Sequence, residues 1–260
     1  MVRAAALVSG DGAKLQAILD SMYFKEIENF ELVAVISPEK DAYAMKRALN
    51  AGVPAYVVDP ELFPNMTSHS MAIANKLRDM DIELVIIAGY DLPMGVVPYQ
   101  FKNRMIGTYP AMYPAFEDVE GDVCRAALER GVKMTGATAY FADGDGRVGN
   151  IILQKPVEVL PDDTPDTLRQ RVMEEGEWKI LSKAVALYCA GRLSVHGNRV
   201  LIEPEKRPEI EKRSAAAPRQ TQRPQPLRQS APAANQTPPS PRQNTPPRAA
   251  APARQTAKKK

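Results

Sequence analysis

The stretch NRMIGTYPAMYPAF, residues 103–116, places groups that could take part in chemistry at the end of a buried strand. A strand-like run over 104–108 enters a loop constrained by two prolines. In α/β enzymes the carboxyl ends of parallel strands display the reacting groups. Here that end presents Gly107, which has no side chain, and then Thr108 and Tyr109. Tyr109 can donate a hydrogen bond, but with a reference pKa of about 10 it is a poor base at neutral pH.

A glycine-rich loop forms the second chemical signal. The sequence ALVSGDGAKLQAIL places Ser9 and the two glycines that follow it between a predicted strand and a predicted helix. Glycines allow close backbone approach, and free N–H groups at a helix start attract anions. The pattern lacks the third glycine of a dinucleotide-binding loop, where Leu15 stands, and it is not a P-loop. The loop therefore indicates either a phosphate or carboxylate site or an ordinary tight turn, over Gly10, Asp11, Gly12, Ala13 and Lys14.

The elements that must position these loops alternate between strand and helix. Strands are predicted over 3–9, 31–37, 55–58, 82–89, 104–108, 132–141 and 150–159, and the continuous apolar run at 3–9 indicates a strand covered on both faces. Helical spacing predicts helices at 15–22, 41–50, 67–79, 119–130 and 164–190, the last one capped by Thr164. A hairpin over 192–202 closes the body. This alternation predicts an α/β fold with a largely parallel, doubly wound sheet, to which the strands around 142–149 add an antiparallel or mixed edge.

The charge divides the chain into two parts. Residues 204–260 carry 13 Lys/Arg against 3 Asp/Glu, a net +10, whereas residues 1–203 carry 21 against 28, a net −7. The basic part also holds 12 of the 23 prolines and no aromatic residue. It has too little apolar surface to offset the entropy of ordering, so we predict a disordered basic tail at 204–260 after a globular domain at 1–203. The tail is either a passive extension or a polyanion-binding segment without sequence selectivity.

The few cysteines and histidines limit the chemistry further. Cys124 and Cys189 are far apart in sequence and are interpreted as buried free thiols, which with the lack of a signal peptide predicts a cytoplasmic location. No apolar run is long enough for a transmembrane helix. Only two histidines are present, so no histidine-rich metal site is expected. His69 is predicted to be an exposed residue at the start of a helix, and His196 a structural residue of the terminal hairpin.

The body resembles the folate-dependent phosphoribosylglycinamide formyltransferase family over essentially all of 1–203. The blocks that carry the resemblance are SGDGAKLQAI (9–18), IIAGY (86–90), RGVKMTGAT (130–138), IILQKPVEVLPDDTPDTL (151–168) and RVMEEGEWKIL (171–181). The resemblance implies a three-layer Rossmann-like formyltransferase fold that binds glycinamide ribonucleotide, with the phosphate on the loop at 10–14. It further implies 10-formyltetrahydrofolate as the co-substrate, no metal, and transfer of a formyl group to the glycinamide amine in purine synthesis.

The resemblance also identifies three catalytic positions, and all three have changed. The family pattern Asn-any-His-Pro-Ser-Leu corresponds to GTYPAM at 107–112, so its Asn falls on Gly107 and its His on Tyr109. Counting back from IILQ places the family's Asp at Arg147, which cannot accept a proton. One missing acid/base group typically slows a reaction by ~10²–10⁴. We therefore expect impaired or lost formyl transfer, unless a slipped loop supplies Asp143 or Asp145 instead, or Tyr109 and Arg147 form a different electrophilic pair.

The remaining matches concern substrate binding. Glu177 matches a family Glu that contacts the ribonucleotide, although it could instead be a solvated helix carboxylate. The resemblance places the folate cleft beside the loop after IIAGY, at Tyr90, Asp91, Leu92, Pro93 and Met94. This loop is longer than the family's, and the segment AFEDVEGDV at 115–123 is shorter and more acidic than its counterpart.

Three functions compete at this stage. The first is an active, diverged formyltransferase. The second is a non-catalytic relative that binds a nucleotide or a folate-like ligand. The third makes the basic tail the working part, with the body as a scaffold, and predicts salt-dependent binding to polyanions.

Overall fold

A computed structural model describes residues 1–204 of the chain, which form a seven-stranded sheet flanked by helices. The strands of this sheet are β1 (Val2–Leu7), β2 (Phe30–Ser37), β3 (Ala55–Val57), β4 (Leu84–Ile87), β5 (Met105–Tyr109), β6 (Met134–Ala142) and β7 (Val148–Glu158). A separate hairpin joins β8 (Leu193–His196) to β9 (Arg199–Ile202). The α-helices are α1 (Ala13–Tyr23), α2 (Tyr43–Asn50), α3 (Met66–Asp79), α4 (Val97–Gln100), α5 (Val123–Glu129), α6 (Pro165–Arg171) and α7 (Trp178–Cys189). The predicted tail at 204–260 lies, apart from its first residue, outside the described residues.

The strand order is β3-β2-β1-β4-β5-β6-β7, and it confirms the predicted doubly wound sheet. Strands β1 to β5 pair in parallel, whereas β6 runs antiparallel to both β5 and β7, so the expected antiparallel edge is present. The chain moves outward from β1 in both directions, so the loops after β1 and β4 diverge there. Such a switch point is where ligands bind in open α/β sheets. Ser9 N–H donates to the carbonyl of Gly89 at 2.8 Å, which holds the two loops together.

The two faces of the sheet bury separate apolar clusters. Ala4 and Ala6 of β1, with Val8 just after it, face the cluster that includes residues of α1, α2 and α7, while Ala5 and Leu7 face the cluster of α3 and α4. Because strand side chains alternate between faces, a strand covered on both sides must be apolar along its covered part, as AAALV at 4–8 is. The three layers expected from the sequence are therefore confirmed.

The region predicted as one helix over 164–190 is helical throughout but not uniform. Thr164 caps α6 as predicted, and its side chain and that of Thr167 form a reciprocal capping box. Between α6 and α7, residues Val172–Glu177 form a π-helical segment, which apolar spacing alone did not predict. A π-helical turn inside an α-helix shifts the residues that follow it around the axis, and such turns are frequent at functional sites.

Other expectations need correction. His69 is fully buried rather than exposed: its Nε2 lies 2.7 Å from the carbonyl oxygen of Val58, so α3 packs more deeply than its polar sequence suggested. The helix predicted at 119–130 begins at Val123 because Asp122 accepts the N–H groups of Cys124 and Arg125.

Two further observations concern the rest of the described chain. Cys124 and Cys189 are buried and free, as predicted. Among residues 1–204, no helix combines the length and the apolar character that crossing a membrane requires.

Candidate active site

The end of β5 presents side chains to both faces of the sheet. Because side chains alternate along a strand, Thr108 points to one face, and Gly107 and Tyr109 point to the other. Strand β5 ends one residue later than predicted, so Tyr109 is the last residue of the strand rather than the first of the loop. The two faces therefore form two different half-sites.

On the first face lies the glycine-rich loop between β1 and α1. Gly12 adopts a left-handed conformation (φ +70°), and a Cβ there would lie 2.7 Å from Ala44, so α2 packs directly against the loop. Arg47 of α2 donates from Nε to the carbonyl of Asp11 at 2.8 Å. The Asp11 carboxylate already accepts the N–H of Ala13 at 3.0 Å.

The loop still has donors to offer. Within residues 1–204 the backbone N–H groups of Asp11, Gly12 and Lys14 make no hydrogen bond, and they stand at the start of an 11-residue helix. Such N–H groups favour an anion. The Gly10 N–H points to the Glu39 carboxylate at 3.4 Å, a contact that an incoming phosphate would have to displace.

Glu177 connects this loop to the end of β5. Its Oε1 accepts hydrogen bonds from Lys14 Nζ at 2.6 Å and from Thr108 Oγ1 at 2.8 Å. Only 6% of the Glu177 side chain is exposed, so the solvated-carboxylate interpretation is wrong. A buried carboxylate needs such donors, because an unpaired buried charge is strongly destabilising.

The π-helical segment explains how Glu177 reaches this place. Its Gly176 packs so closely against β6 that a Cβ there would lie 2.9 Å from the Ala137 Cβ. This contact draws the segment onto the sheet, where Glu177 follows directly after the glycine. In the sequence, only the EGEWK motif pointed to a role for Glu177. The helical spacing around it gave no indication that the side chain is buried.

The second face opens into a cavity of about 630 Å³. It brings together two of the three predicted catalytic positions, Tyr109 and Arg147, together with the two predicted alternatives Asp143 and Asp145. The other lining residues are Tyr113, Glu117, Asp118, Val119, Glu120, Tyr140 and Val148. Gly107 is not among them.

Gly107 lies beneath the ring of Tyr140. The two residues are direct partners in the antiparallel pairing of β5 with β6, so their side chains share a face. A Cβ on Gly107 would lie 2.9 Å from the Tyr140 hydroxyl oxygen and 3.0 Å from Cζ. The phenol of Tyr140 therefore fills the space that a side chain at position 107 would occupy.

Tyr109 has a structural role. Its hydroxyl donates to the carbonyl of Phe116 at 2.6 Å, and its ring packs edge-on against Tyr113. Burial, with the nearby carboxylates of Glu117 and Asp118, raises the pKa of Tyr109 above its ordinary value. The hydroxyl thus stays protonated at neutral pH and is already committed to the backbone of the 110–116 loop.

Arg147 stands at the mouth of the cavity, in the turn between β6 and β7. Asp143 shapes this turn, because its Oδ1 accepts the N–H groups of Asp145 at 2.9 Å and Arg147 at 2.8 Å. The Arg147 side chain is exposed and makes no ion pair within residues 1–204. Asp143 serves as a turn residue while it also borders the cavity.

The sequence analysis did not predict that the acidic segment after β5 would border the same cavity. Glu117, Asp118 and Glu120 are exposed at its rim. Glu117 accepts the hydroxyl proton of Tyr113 at 2.5 Å, and Asp118 pairs with Arg130 at 3.6 Å. The sequence feature that could have indicated this position is that the segment at 115–123 is shorter than its counterpart in the family. In the described part of the chain no three metal-ligating side chains cluster as an ion would require.

The loop predicted to border a folate cleft lies beside this cavity. Tyr90 and Met94 are buried in the same apolar cluster as Tyr140. Asp91 and Pro93 are exposed, Leu92 is half-buried, and the Asp91 N–H donates to Ser9 Oγ at 3.3 Å. Met94 touches the β6–β7 turn, because a Cβ on Gly146 would lie 3.1 Å from its Cε. The folate assignment of this loop stays a prediction.

Comparison with known proteins shows what the chain is similar to. Residues 2–185 match the family described as formyl transferase. The phosphoribosylglycinamide formyltransferase of Haemophilus influenzae is 28% identical over 213 residues, 80% of this chain and 97% of that protein. The trifunctional purine biosynthetic protein adenosine-3 of Homo sapiens is 32% identical over 198 residues, 75% of this chain. The chain spans only 19% of that relative, and 14% of its Drosophila pseudoobscura counterpart.

A solved structure shows the same fold. Glycinamide ribonucleotide transformylase 1 from Symbiobacterium toebii is 39% identical, with a TM-score of 0.74. The alignment covers 78% of this chain and 95% of that one. The expected Rossmann-like fold, with its mostly parallel sheet, is therefore confirmed.

Proposed function

Since this chain belongs to the formyl transferase family, we propose that it binds glycinamide ribonucleotide while its formyl transfer from 10-formyltetrahydrofolate is strongly impaired. This formyl transfer to glycinamide ribonucleotide is the reaction for which several relatives of the chain are named. The proposal separates the two half-sites at the end of β5. The half that faces Glu177 retains groups that can bind a ligand, and in the half that faces Tyr140 the expected catalytic side chains are replaced.

The observation that supports the proposal is the surroundings of the three positions at which the resemblance predicts catalytic groups. Position 107 has no side chain and is covered by Tyr140, the Tyr109 hydroxyl is engaged with Phe116, and Arg147 carries the opposite charge to the family's Asp. None of these three residues can take a proton from an attacking amine. The alternative carboxylates Asp143 and Asp145 border the cavity but are exposed, and Asp143 accepts the turn N–H groups of Asp145 and Arg147. Loss of one such group slows a reaction by ~10²–10⁴, and losses of groups that act together do not simply add.

The binding half is supported by the contacts of Glu177. A buried carboxylate held by Lys14 and Thr108 stands beside a loop with unused N–H donors. A phosphate on the loop and a ribose or amine near the carboxylate would suit a phosphorylated ribonucleotide.

The test measures binding and turnover separately on the full chain. Glycinamide ribonucleotide should raise the melting temperature, whereas with 10-formyltetrahydrofolate the purified protein should give no product above background. Glu177→Gln should abolish the thermal shift. The matched control Glu129→Gln, at an exposed position of α5, should retain it. Turnover at an ordinary enzymatic rate, on the order of 1–10³ s⁻¹, would overturn the proposed impairment.

We further propose that the basic segment 204–260 binds polyanions by charge alone. Its net +10 contrasts with the net −7 of residues 1–203. Counterion release upon contact with a polyanion favours binding without sequence selectivity. Because the segment has no aromatic residue, it offers no side chain on which a base could stack.

A further inference from the structure

We propose that Tyr140 is the hydrogen-bond donor through which this cavity holds the formyl oxygen of a formyl-folate, in place of a side chain at position 107. The inference rests on the proposed function, because the ligand it assigns is the formyl donor of that reaction. It adds a residue from β6, at a position to which the sequence analysis assigned no catalytic or binding role.

The geometry of the two paired strands carries the proposal. Gly107 and Tyr140 face each other across the β5–β6 pairing. The Tyr140 hydroxyl lies 2.9 Å from the point where a Gly107 Cβ would stand, and that point is also 3.3 Å from the Ile87 Cβ. The phenol therefore reaches back over β5 toward β4 and brings a polar group to the place that a polar side chain at 107 would have occupied.

The Tyr140 hydroxyl is the unengaged one among the tyrosines of the cavity. Tyr109 donates to the Phe116 carbonyl, and Tyr113 donates to Glu117. Tyr140 is 8% exposed and lines the cavity, yet its hydroxyl makes no hydrogen bond within residues 1–204. The hydroxyl is not one of the fully buried unpaired side-chain atoms of the described residues, so it is accessible from the cavity and can donate to a ligand acceptor.

The electrostatics of the cavity favour a neutral acceptor. Burial raises the pKa of Tyr140 to about 12, so the hydroxyl is protonated at neutral pH and can donate a hydrogen bond to a ligand oxygen. Among the described residues, five carboxylates and one cation, Arg147, line the cavity. A ligand carboxylate would meet repulsion there, whereas an uncharged formyl oxygen would not.

The experiment compares 10-formylfolic acid with folic acid, two probes that differ by the formyl group. Dissociation constants are measured by calorimetry for the wild-type full chain and for Tyr140→Phe, which keeps the ring and deletes the donor. Gly107→Ala is a second route to the same loss, because its Cβ would displace the hydroxyl. Tyr113→Phe is the matched control, since that tyrosine lines the cavity with an engaged hydroxyl.

We expect the wild-type chain to prefer the formylated probe and Tyr140→Phe to reduce this preference roughly five- to tenfold, the usual effect of one lost hydrogen bond. Gly107→Ala should give the same reduction, and Tyr113→Phe should leave the preference unchanged. The proposal is overturned if both tyrosine variants reduce it equally, if neither does, or if the wild-type chain binds neither probe. Should Tyr140→Phe fail to fold, Gly107→Ala decides the result. The ribonucleotide shift is measured without a folate, so failure of this inference remains distinguishable from failure of the proposed function.

Discussion

Glu177 and Lys14, 163 positions apart in sequence, form an ion pair between the π-helical segment and the glycine-rich loop, with Oε1 2.6 Å from Nζ. Thr108 donates to the same oxygen at 2.8 Å. Oε2 makes no hydrogen bond within residues 1–204 and so remains available to a ligand. One carboxylate thus links the loop, the strand end and the π-helical segment that together form the proposed ribonucleotide half-site.

Replacing Lys14 by Met should therefore weaken both stability and ribonucleotide binding. The change leaves a carboxylate that is 6% exposed with only Thr108 as its donor. Breaking such a pair from one side destabilises a protein by about 2 kcal/mol when a second donor remains. Urea unfolding measures the loss. The double variant Lys14→Met with Glu177→Gln should regain part of it, and additive losses would show that the two groups do not interact.

Restoring the family's catalytic residues should fail while Tyr140 is present. Gly107→Asn introduces a Cβ 2.9 Å from the Tyr140 hydroxyl, and overpacking of this kind costs about 1–3 kcal/mol. Combined with Tyr109→His and Arg147→Asp, it is expected to give a destabilised protein without turnover. Adding Tyr140→Ala makes room for the new side chain, so the quadruple variant should show the first measurable formyl transfer although truncation of a buried tyrosine lowers its stability. Activity in the triple variant at the level of the quadruple one would contradict this steric account.

Tyr109→Phe should affect stability more than function. The hydroxyl holds the Phe116 carbonyl at 2.6 Å, and loss of one such bond costs about 1 kcal/mol. Because this hydroxyl has no free donor for a ligand, the thermal shift induced by glycinamide ribonucleotide should stay the same. Chemical denaturation and the ligand titration check the two halves of the prediction. A collapse of the ligand shift at unchanged stability would assign Tyr109 to the binding site instead.

The layers of the fold could be predicted from local sequence patterns, namely apolar runs and helix-capping residues. The apolar run AAALV predicted a strand covered on both faces, and Thr164-Pro165 predicted the start of a helix. His69 was misjudged because the start of α3 is polar, and burial there depends on a contact with Val58 that no local pattern encodes. Helix starts shifted where a cap such as Asp122 competes with apolar spacing.

The site could be predicted less well from the sequence, because its composition depends on which strands pair. The resemblance predicted Gly107 and Arg147 to be changed catalytic positions, but only the β5–β6 pairing shows that Tyr140 covers Gly107. Similarly, the acidic segment after β5 was visible as composition, and its position at the cavity rim requires the fold. Long-range pairing is set by the whole sheet rather than by adjacent residues.

Asp163 should make the stability of the described domain depend on acid pH. Burial raises the pKa of its carboxyl, but hydrogen bonds from the Leu160 N–H, Arg171 and Thr167 outweigh this effect and leave the pKa below its ordinary value. A lowered folded-state pKa contributes stability above the unfolded-state value of about 3.9, and that contribution is lost as pH falls through the folded-state value.

Asp163→Asn is therefore expected to lower the free energy of unfolding at neutral pH by about 2 kcal/mol, with the gap to wild type closing below about pH 4. Its side chain is 2% exposed, so solvent screens these contacts little. Urea unfolding as a function of pH measures the gap. Asp162→Asn, a change at the exposed neighbouring carboxylate, is the control and should leave the curve unaltered. A gap that persists unchanged into acid would show that the carboxylate charge is not responsible.

Ending the chain at Pro204 should remove its affinity for polyanions and leave ribonucleotide binding intact. The truncation deletes 13 Lys/Arg against 3 Asp/Glu and turns a net charge of +3 into −7. Retention on heparin should be strong for the full chain at low salt, should fall linearly with the logarithm of salt concentration, and should vanish for the truncated chain. A full-length variant with the tail lysines and arginines replaced by glutamine separates charge from length. Undiminished retention of that variant would assign the affinity to the body, whose acidic charge makes it the less favourable surface.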